Sequence, residues 1–182
     1  MSRLGKEALE ALLERKVLAE ETAYELLIAL TDAEMAPAMA GAILSALRIK
    51  GVTADEVRGF ARAMRSLARR PQIAAGSPVA DVVGTGGDGS HSLNLSTGAA
   101  LLAAATGVRI AKHGNRSVSS RCGSADVLEA LGLSLPLDEV AAGWCLERTG
   151  FTFLFAPHYH PAMKAVAPVR AALGVRTIFN ML

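Results

Sequence analysis

Two short segments hold most of the side chains that could do chemistry. The first is Gly84-Thr-Gly-Gly-Asp-Gly89, followed by Asn94, Ser96 and Thr97. Clustered glycines let the backbone approach a phosphate and turn N–H groups toward it, and a helix amino terminus adds partial positive charge. Asn94, Ser96 and Thr97 stand where a helix through Leu101–Ala105 would begin, with Ser96 or Thr97 as its cap. Their side chains and N–H groups could share the anion. A tight structural turn with an ordinary cap would use the same residues. The glycine spacing matches G-x-G-x-x-G. A dinucleotide fold, however, opens its helix straight from the turn and places an acid at the end of the second strand. Here the helix waits until about residues 94–97, and the second strand runs into Lys112-His113. No Gly-Lys-Ser/Thr comes after the turn, so a nucleotide P-loop is excluded as well.

The second segment, Lys112-His-Gly-Asn-Arg-Ser-Val-Ser-Ser120, sits at the carboxyl end of that strand, the edge where open parallel sheets bind ligands. It offers cations at Lys112 and Arg116, an imidazole at His113, an amide at Asn115 and hydroxyls at Ser117, Ser119 and Ser120, with Gly114 to permit a bend. That set suits a ligand rich in phosphate oxygens, and a solvated loop is the bland alternative. His113 could act as a general base. The spacing supplies neither the partners of a hydrolytic triad nor a zinc cluster. Magnesium suits the segment better, because it binds through phosphates plus one or two protein oxygens.

These loops need a frame. Residues 1 to about 70 read as helices only. Leu9, Leu12 and Leu13 give helical spacing, and Tyr24, Leu27, Ile28 and Leu30 continue it. Thr31-Asp-Ala-Glu34 and Thr53-Ala-Asp-Glu56 both fit a capping box. Met39, Ile43, Leu44 and Leu47 form an apolar face ending near Gly51, with Pro37 predicting a kink or a later start. The fourth helix should stop before Pro71. Beyond it, Val79–Val83 and Val108–Ala111 read as buried strands, and Phe151–Phe155 as a third. Helices between them end at Gly107, run from Ser124 to Gly132, and run from about Leu137 to Arg148. Such alternation predicts a mainly parallel sheet with helical crossovers. Pro161 and Pro168 interrupt the chain past residue 157. A sheet that stops just as another element should begin reads as a piece of a longer protein.

The bulk properties remove several classes. Of 182 residues, 51% are hydrophobic but only 4% aromatic, which leaves little for a base-stacking surface, and a net charge of +2 is too small for a nucleic-acid partner. Ala99–Ala105 is far shorter than the ~20 apolar residues of a membrane span. The charged start lacks a signal-peptide core, so a soluble cytoplasmic protein is expected. Cys122 and Cys145 form no C-x-x-C and read as inert thiols.

The runs GTGGDGSHSLNLST, KHGNRSVSS, GSADVLEALG, FAPHYHPAMK and PVRAALGVRTIFN resemble, in order, consecutive motifs of the anthranilate phosphoribosyltransferases. The resemblance covers about residue 81 to the last, and the helical start fits too. The helical domain at 1–70 is expected to bury its leftover apolar face in a homodimer interface, and the resemblance implies a partial α/β domain of nucleoside phosphorylase/phosphoribosyltransferase type at 71–157. A hinge or return segment would occupy 158–182. It implies that the amine of anthranilate displaces pyrophosphate from C1 of phosphoribosyl pyrophosphate, a step of tryptophan biosynthesis. Gly84, Gly87, Asp88, Ser92, Asn94, Leu95, Ser96, Thr97 and residues 112–120 match the phosphoribosyl pyrophosphate site. That last stretch comprises Lys112, His113, Gly114, Asn115, Arg116, Ser117, Val118, Ser119 and Ser120, with Ser124 at its edge. Ser96 matches a magnesium ligand. Gly84, Asn115 and Arg170 match anthranilate contacts. Lys112 and His113 would act by electrostatics and positioning rather than as a single base. The family's adjacent Asp-Glu pair for a second magnesium would lie beyond residue 182. Pyrimidine nucleoside phosphorylases share the glycine turn but not the KHGN run. A non-catalytic relative would predict eroded loops and a basic surface.

Overall fold

The computed structural model describes residues 3–76, 78–84, 93–117 and 122–181. They fall into two compact units, Met1–Ala68 with His160–Leu182, and Arg69–Tyr159.

The helical unit contains α1 (Arg3–Leu13), α2 (Glu20–Leu30), α3 (Pro37–Lys50) and α4 (Ala54–Leu67). Ala23, Leu26, Leu27 and Leu30 recur at helical spacing on α2 and meet Ile43, Leu44, Leu47 and Phe60 in one core. The stripe on α1 is rotated from the predicted one: Ala8 and Leu12 are buried while Leu13 is 68% exposed. Pro37 causes no kink, because it occupies the first turn of α3, where a missing N–H leaves nothing unpaired. That start also displaces the first predicted capping box. Thr31 closes α2 instead, its hydroxyl donating to the Ile28 carbonyl at 2.9 Å. The second box forms: Glu56 N–H donates to Thr53 Oγ1, and the Glu56 carboxylate accepts the Thr53 N–H at 2.9 Å. The same buried carboxylate accepts from Leu18 N–H and Lys50 Nζ, each at 2.9 Å. At the crossing of α2 and α4, a Cβ on Gly59 would overlap the Glu20 carbonyl, so only glycine admits this approach.

The other unit holds α5 (Leu95–Ala105), β1 (Ile110–Gly114), α6 (Ser124–Ala130), α7 (Glu139–Thr149), β2 (Phe151–Phe155) and the single turn α8 (Ala156–Tyr159). The strands are parallel, with Ile110 opposite Phe151 and Gly114 opposite Phe155. The predicted strand at Val79–Val83 shrinks to a single parallel bridge, Ala80 to Ile110. β1 begins and ends later than predicted, since pairing with β2 carries it through Lys112 to Gly114, while Val108 stays 46% exposed. Ala100, Ile110, Ala125, Leu128, Phe151 and Phe153 form the core.

Residues past 160 return to the helical unit and are more regular than their prolines suggest. Pro161 precedes α9 (Met163–Leu173) and Pro168 lies within it. Val166, Val169 and Ile178 are buried in the helical core, which outweighs the hydrogen bond lost at the proline. The expected architecture, a helical unit and a parallel sheet with helical crossovers, is present.

Candidate functional site

β1 ends in the residues singled out from the sequence. Lys112 is 2% exposed, and its Nζ donates to the Val82 carbonyl at 2.7 Å. This bond holds the chain in place just before Gly84. Burial pulls the Lys112 ammonium below the ordinary lysine range, and Asp81 partly opposes that. An ammonium carries three donors. Val82 is the hydrogen-bond acceptor the structure gives it among the described residues. Burial likewise lowers His113, with Asp81 raising it and Lys112 lowering it further, so the imidazole is neutral near pH 7. Gly114 serves close packing rather than the predicted bend, for a Cβ there would overlap Ser124 Oγ and lie 2.9 Å from the Phe153 ring.

α5 begins later than the glycine turn, as predicted, but Asn94 occupies the cap position and Ser96 and Thr97 lie in the first turn. The Thr97 and Gly98 N–H groups donate to the Asn94 carbonyl, both at 3.0 Å. Thr97 is 1% exposed, and its hydroxyl has no hydrogen-bond partner among the described residues. Asn94 Nδ2 donates to the Cys122 carbonyl at 3.3 Å, so the head of α5 is tied to the far end of the second loop. Leu95, by contrast, is 67% exposed.

The second loop is organised by α6. Its cap is Gly123 rather than Ser124, which is the first helical residue. Asn115 turns its carbonyl to the Ala125 N–H and the Ser124 hydroxyl, both at 3.2 Å. Arg116 grips Glu129 with both terminal nitrogens and reaches Asp126 at 3.4 Å, with its guanidinium 5.7 Å from the Phe155 ring centroid. Its charge is thus met by carboxylates. Asp126 accepts the Ser117 N–H at 3.1 Å and the Gly123 N–H at 2.7 Å. Those bonds, Gly123 foremost, hold the carboxyl below the usual aspartate range. Neither Asp126 nor the Val82 carbonyl stands out in the sequence. The acid three residues after Gly123 was the available signal, since that spacing lets a carboxylate reach back to the cap N–H.

Gly87, Asp88, Ser92, Val118, Ser119 and Ser120 lie outside the described residues. Gly84 is exposed, and a Cβ there would meet nothing within 4 Å among the described residues. Arg170 belongs to the other unit, on α9. It is half-buried with its guanidinium 5.1 Å from the Phe179 ring centroid, and burial pulls it down from the ordinary arginine range. No group of three or more His, Cys, Asp or Glu that could hold a metal occurs among the described residues. A hydroxyl such as Ser96, at the head of α5, fits a cation that takes most of its oxygens from a ligand's phosphates. No helix among the described residues is long and apolar enough to cross a membrane. Among the described residues, the head of α5 and the buried Lys112 ammonium are groups that could receive an anion.

Known proteins share this arrangement of domains. Residues 76–182 match the model for the a/b domain of a glycosyl transferase family, and residues 6–68 match that family's helical bundle domain. A curated anthranilate phosphoribosyltransferase of Cupriavidus necator is 48% identical over 177 residues, 97% of this chain and 52% of the relative. The crystal structure of the enzyme of that name from Thermus thermophilus superposes with a TM-score of 0.88 at 53% identity, covering 95% of this chain and 52% of that one. The Saccharomyces cerevisiae enzyme, solved in complex with PRPP and Mg, gives a TM-score of 0.84 at 26% identity, covering 99% of this chain and 54% of that one. The chain spans about half the length of the curated relatives it matches.

Proposed function

The chain belongs to the glycosyl transferase family defined by these helical-bundle and a/b domains, and on that premise we propose that it carries the phosphoribosyl pyrophosphate site of an anthranilate phosphoribosyltransferase. The reaction breaks the bond from ribose C1 to pyrophosphate and forms a bond from C1 to the amine of anthranilate, as in tryptophan biosynthesis. The amine proton leaves to pyrophosphate or solvent. The observation that carries this reading is the buried Lys112 ammonium bonded to the Val82 carbonyl, with the Asn94–Cys122 tie joining the head of α5 to the residues just ahead of α6. Support also comes from the PRPP-bound relative and from another yeast structure in complex with 4-fluoroanthranilate.

As the leaving group departs, negative charge grows on pyrophosphate and positive charge on the ribose. The N–H groups at the head of α5 and the donors of Lys112 not used by Val82 would stabilise the anion. Ser96 would hold magnesium together with the pyrophosphate oxygens, and the ion would neutralise charge there. The Asn94 and Ser117 regions would bind the phosphoribosyl group, and Arg170 would take the anthranilate carboxylate. The aromatic amine is unprotonated near pH 7. A neutral His113 is thus needed for orientation rather than as a strong base. Gly84, whose Cβ position meets no described residue, would contact both substrates.

We assign the protein to the cytoplasm and to a homodimer built through the helical unit, whose exposed Leu13 and Val17 are 68% and 58% accessible. The test is loss of anthranilate fluorescence on adding phosphoribosyl pyrophosphate and magnesium. Consumption that needs both additions supports the reading. Phosphate-dependent cleavage of a pyrimidine nucleoside in its place would point to the phosphorylases.

A further inference from the structure

We propose that Asp126 is a positioning residue for phosphoribosyl pyrophosphate, fixing the Asn115–Ser117 turn against the head of α5. The inference rests on the phosphoribosyl pyrophosphate reading above.

The bonds are specific. One carboxylate oxygen, Oδ2, accepts both the Ser117 N–H at 3.1 Å and the Gly123 N–H at 2.7 Å. Residues 117 and 123 are thereby drawn to a single point. Gly123 is required for that closure, since a Cβ there would overlap the Ser117 nitrogen and lie 2.8 Å from the Asn115 carbonyl oxygen. From Gly123 the restraint passes to its neighbour Cys122, whose carbonyl accepts from Asn94 Nδ2 at 3.3 Å. The Asn94 carbonyl in turn accepts the Thr97 and Gly98 N–H groups at the start of α5. Asp126 is thus linked, through side-chain bonds to backbone groups, to the Asn115–Ser117 turn and to the head of α5. It sits in the first turn of α6, whose residues Ala125 and Leu128 are buried in the core, so the carboxylate rides on a fixed element. Its second oxygen faces Arg116 at 3.4 Å, but Arg116 is already held by Glu129. The Arg116 pairing is therefore a separate surface feature, and the two N–H bonds are the ones that shape the loop.

Positioning of this kind acts on the groups that bind a ligand, since small displacements of preorganised donors cost binding. Asp126→Ala removes the oxygen that accepts both bonds. Asp126→Asn keeps a carbonyl oxygen able to accept, without the charge. Glu129→Gln leaves both N–H bonds in place and serves as the control for the Arg116 pairing.

The test is calorimetric titration of phosphoribosyl pyrophosphate with magnesium into the unsubstituted protein and the three variants, with steady-state kinetics for both substrates. The expected result is a dissociation constant at least about tenfold weaker in Asp126→Ala, a smaller loss in Asp126→Asn and none in Glu129→Gln. The Michaelis constant for phosphoribosyl pyrophosphate should rise more than that for anthranilate, which meets this turn through Asn115 alone. A Gly123→Ala variant should reproduce the Asp126→Ala loss, and the double variant should be no worse than the stronger single one. Tight binding by the unsubstituted protein with an Asp126→Ala constant within twofold of it overturns the inference alone. So does a purely structural outcome, in which Asp126→Ala lowers the melting temperature and the active fraction but leaves the affinity of the folded remainder intact. Equal loss in Glu129→Gln overturns it in favour of the Arg116 pairing. A flat titration of the unsubstituted protein overturns the functional reading itself, and the inference with it.

Discussion

Lys112 serves the frame, and the proposed function gives the same side chain a ligand. Its bond to the Val82 carbonyl anchors the chain ahead of the glycine turn, and its burial makes an unmatched charge costly. Replacing it removes an anchor and a cation together. Lys112→Ala should weaken phosphoribosyl pyrophosphate binding about tenfold or more, as expected for a hydrogen bond to a charged group worth ~1.5–3 kcal/mol. Calorimetry showing unchanged affinity would count against the assignment. Arg170, stacked near Phe179, is assigned the other substrate. Arg170→Ala should mainly raise the Michaelis constant for anthranilate, and an equal loss for both substrates would remove that role. The sequence marked both residues by type. It held no sign that Lys112 would be buried against a carbonyl, or that Arg116 would be committed to Glu129, because such pairings depend on which elements fold together.

At the scale of elements, one buried carboxylate organises the helical unit. Glu56 joins the start of α4 to Leu18 and to Lys50 at the end of α3. Burial pushes its carboxyl up, but the Leu18 N–H, the Lys50 ammonium and the Thr53 N–H together hold it below the ordinary glutamate value of 4.5. The folded state thus binds this proton less readily than the unfolded chain. Its contribution is complete above about pH 4.5 and is lost as pH falls through the lowered value. Glu56→Ala leaves Lys50, 5% exposed, without its buried partner and should cost about 3–5 kcal/mol, read as a lower melting temperature near pH 7. It should also flatten the acid limb of the stability curve, and an unaltered limb would show that other groups control it. The capping box behind this was legible, since Thr53 and Glu56 have the required spacing before an apolar run. Thr31 and Glu34 have the same spacing and were misleading, because Pro37 fixes the start of α3 further on. The strand at Val79–Val83 was overread for a related reason. Its β-branched composition signals burial, but only Ala80 finds a backbone partner among the described residues. Pro168 within α9 erred in the opposite sense, as packing of Val166 and Val169 overrode a local breaker.

At the scale of the whole molecule, the order of motifs was the most informative signal in the sequence, because several loops with exacting backbone demands rarely recur together by chance. The helical unit leaves Leu13 and Val17 exposed, and the proposed homodimer would cover them. Leu13→Glu with Val17→Glu should halve the mass seen by analytical ultracentrifugation without unfolding the helices. A dimer that persists would place the interface elsewhere. The central claim concerns the transfer itself, and product stoichiometry tests it most directly. With phosphoribosyl pyrophosphate and magnesium present, one pyrophosphate should be released for each anthranilate consumed, and uridine with phosphate should not react. Anthranilate loss without matching pyrophosphate, or cleavage of uridine by phosphate, would contradict the account.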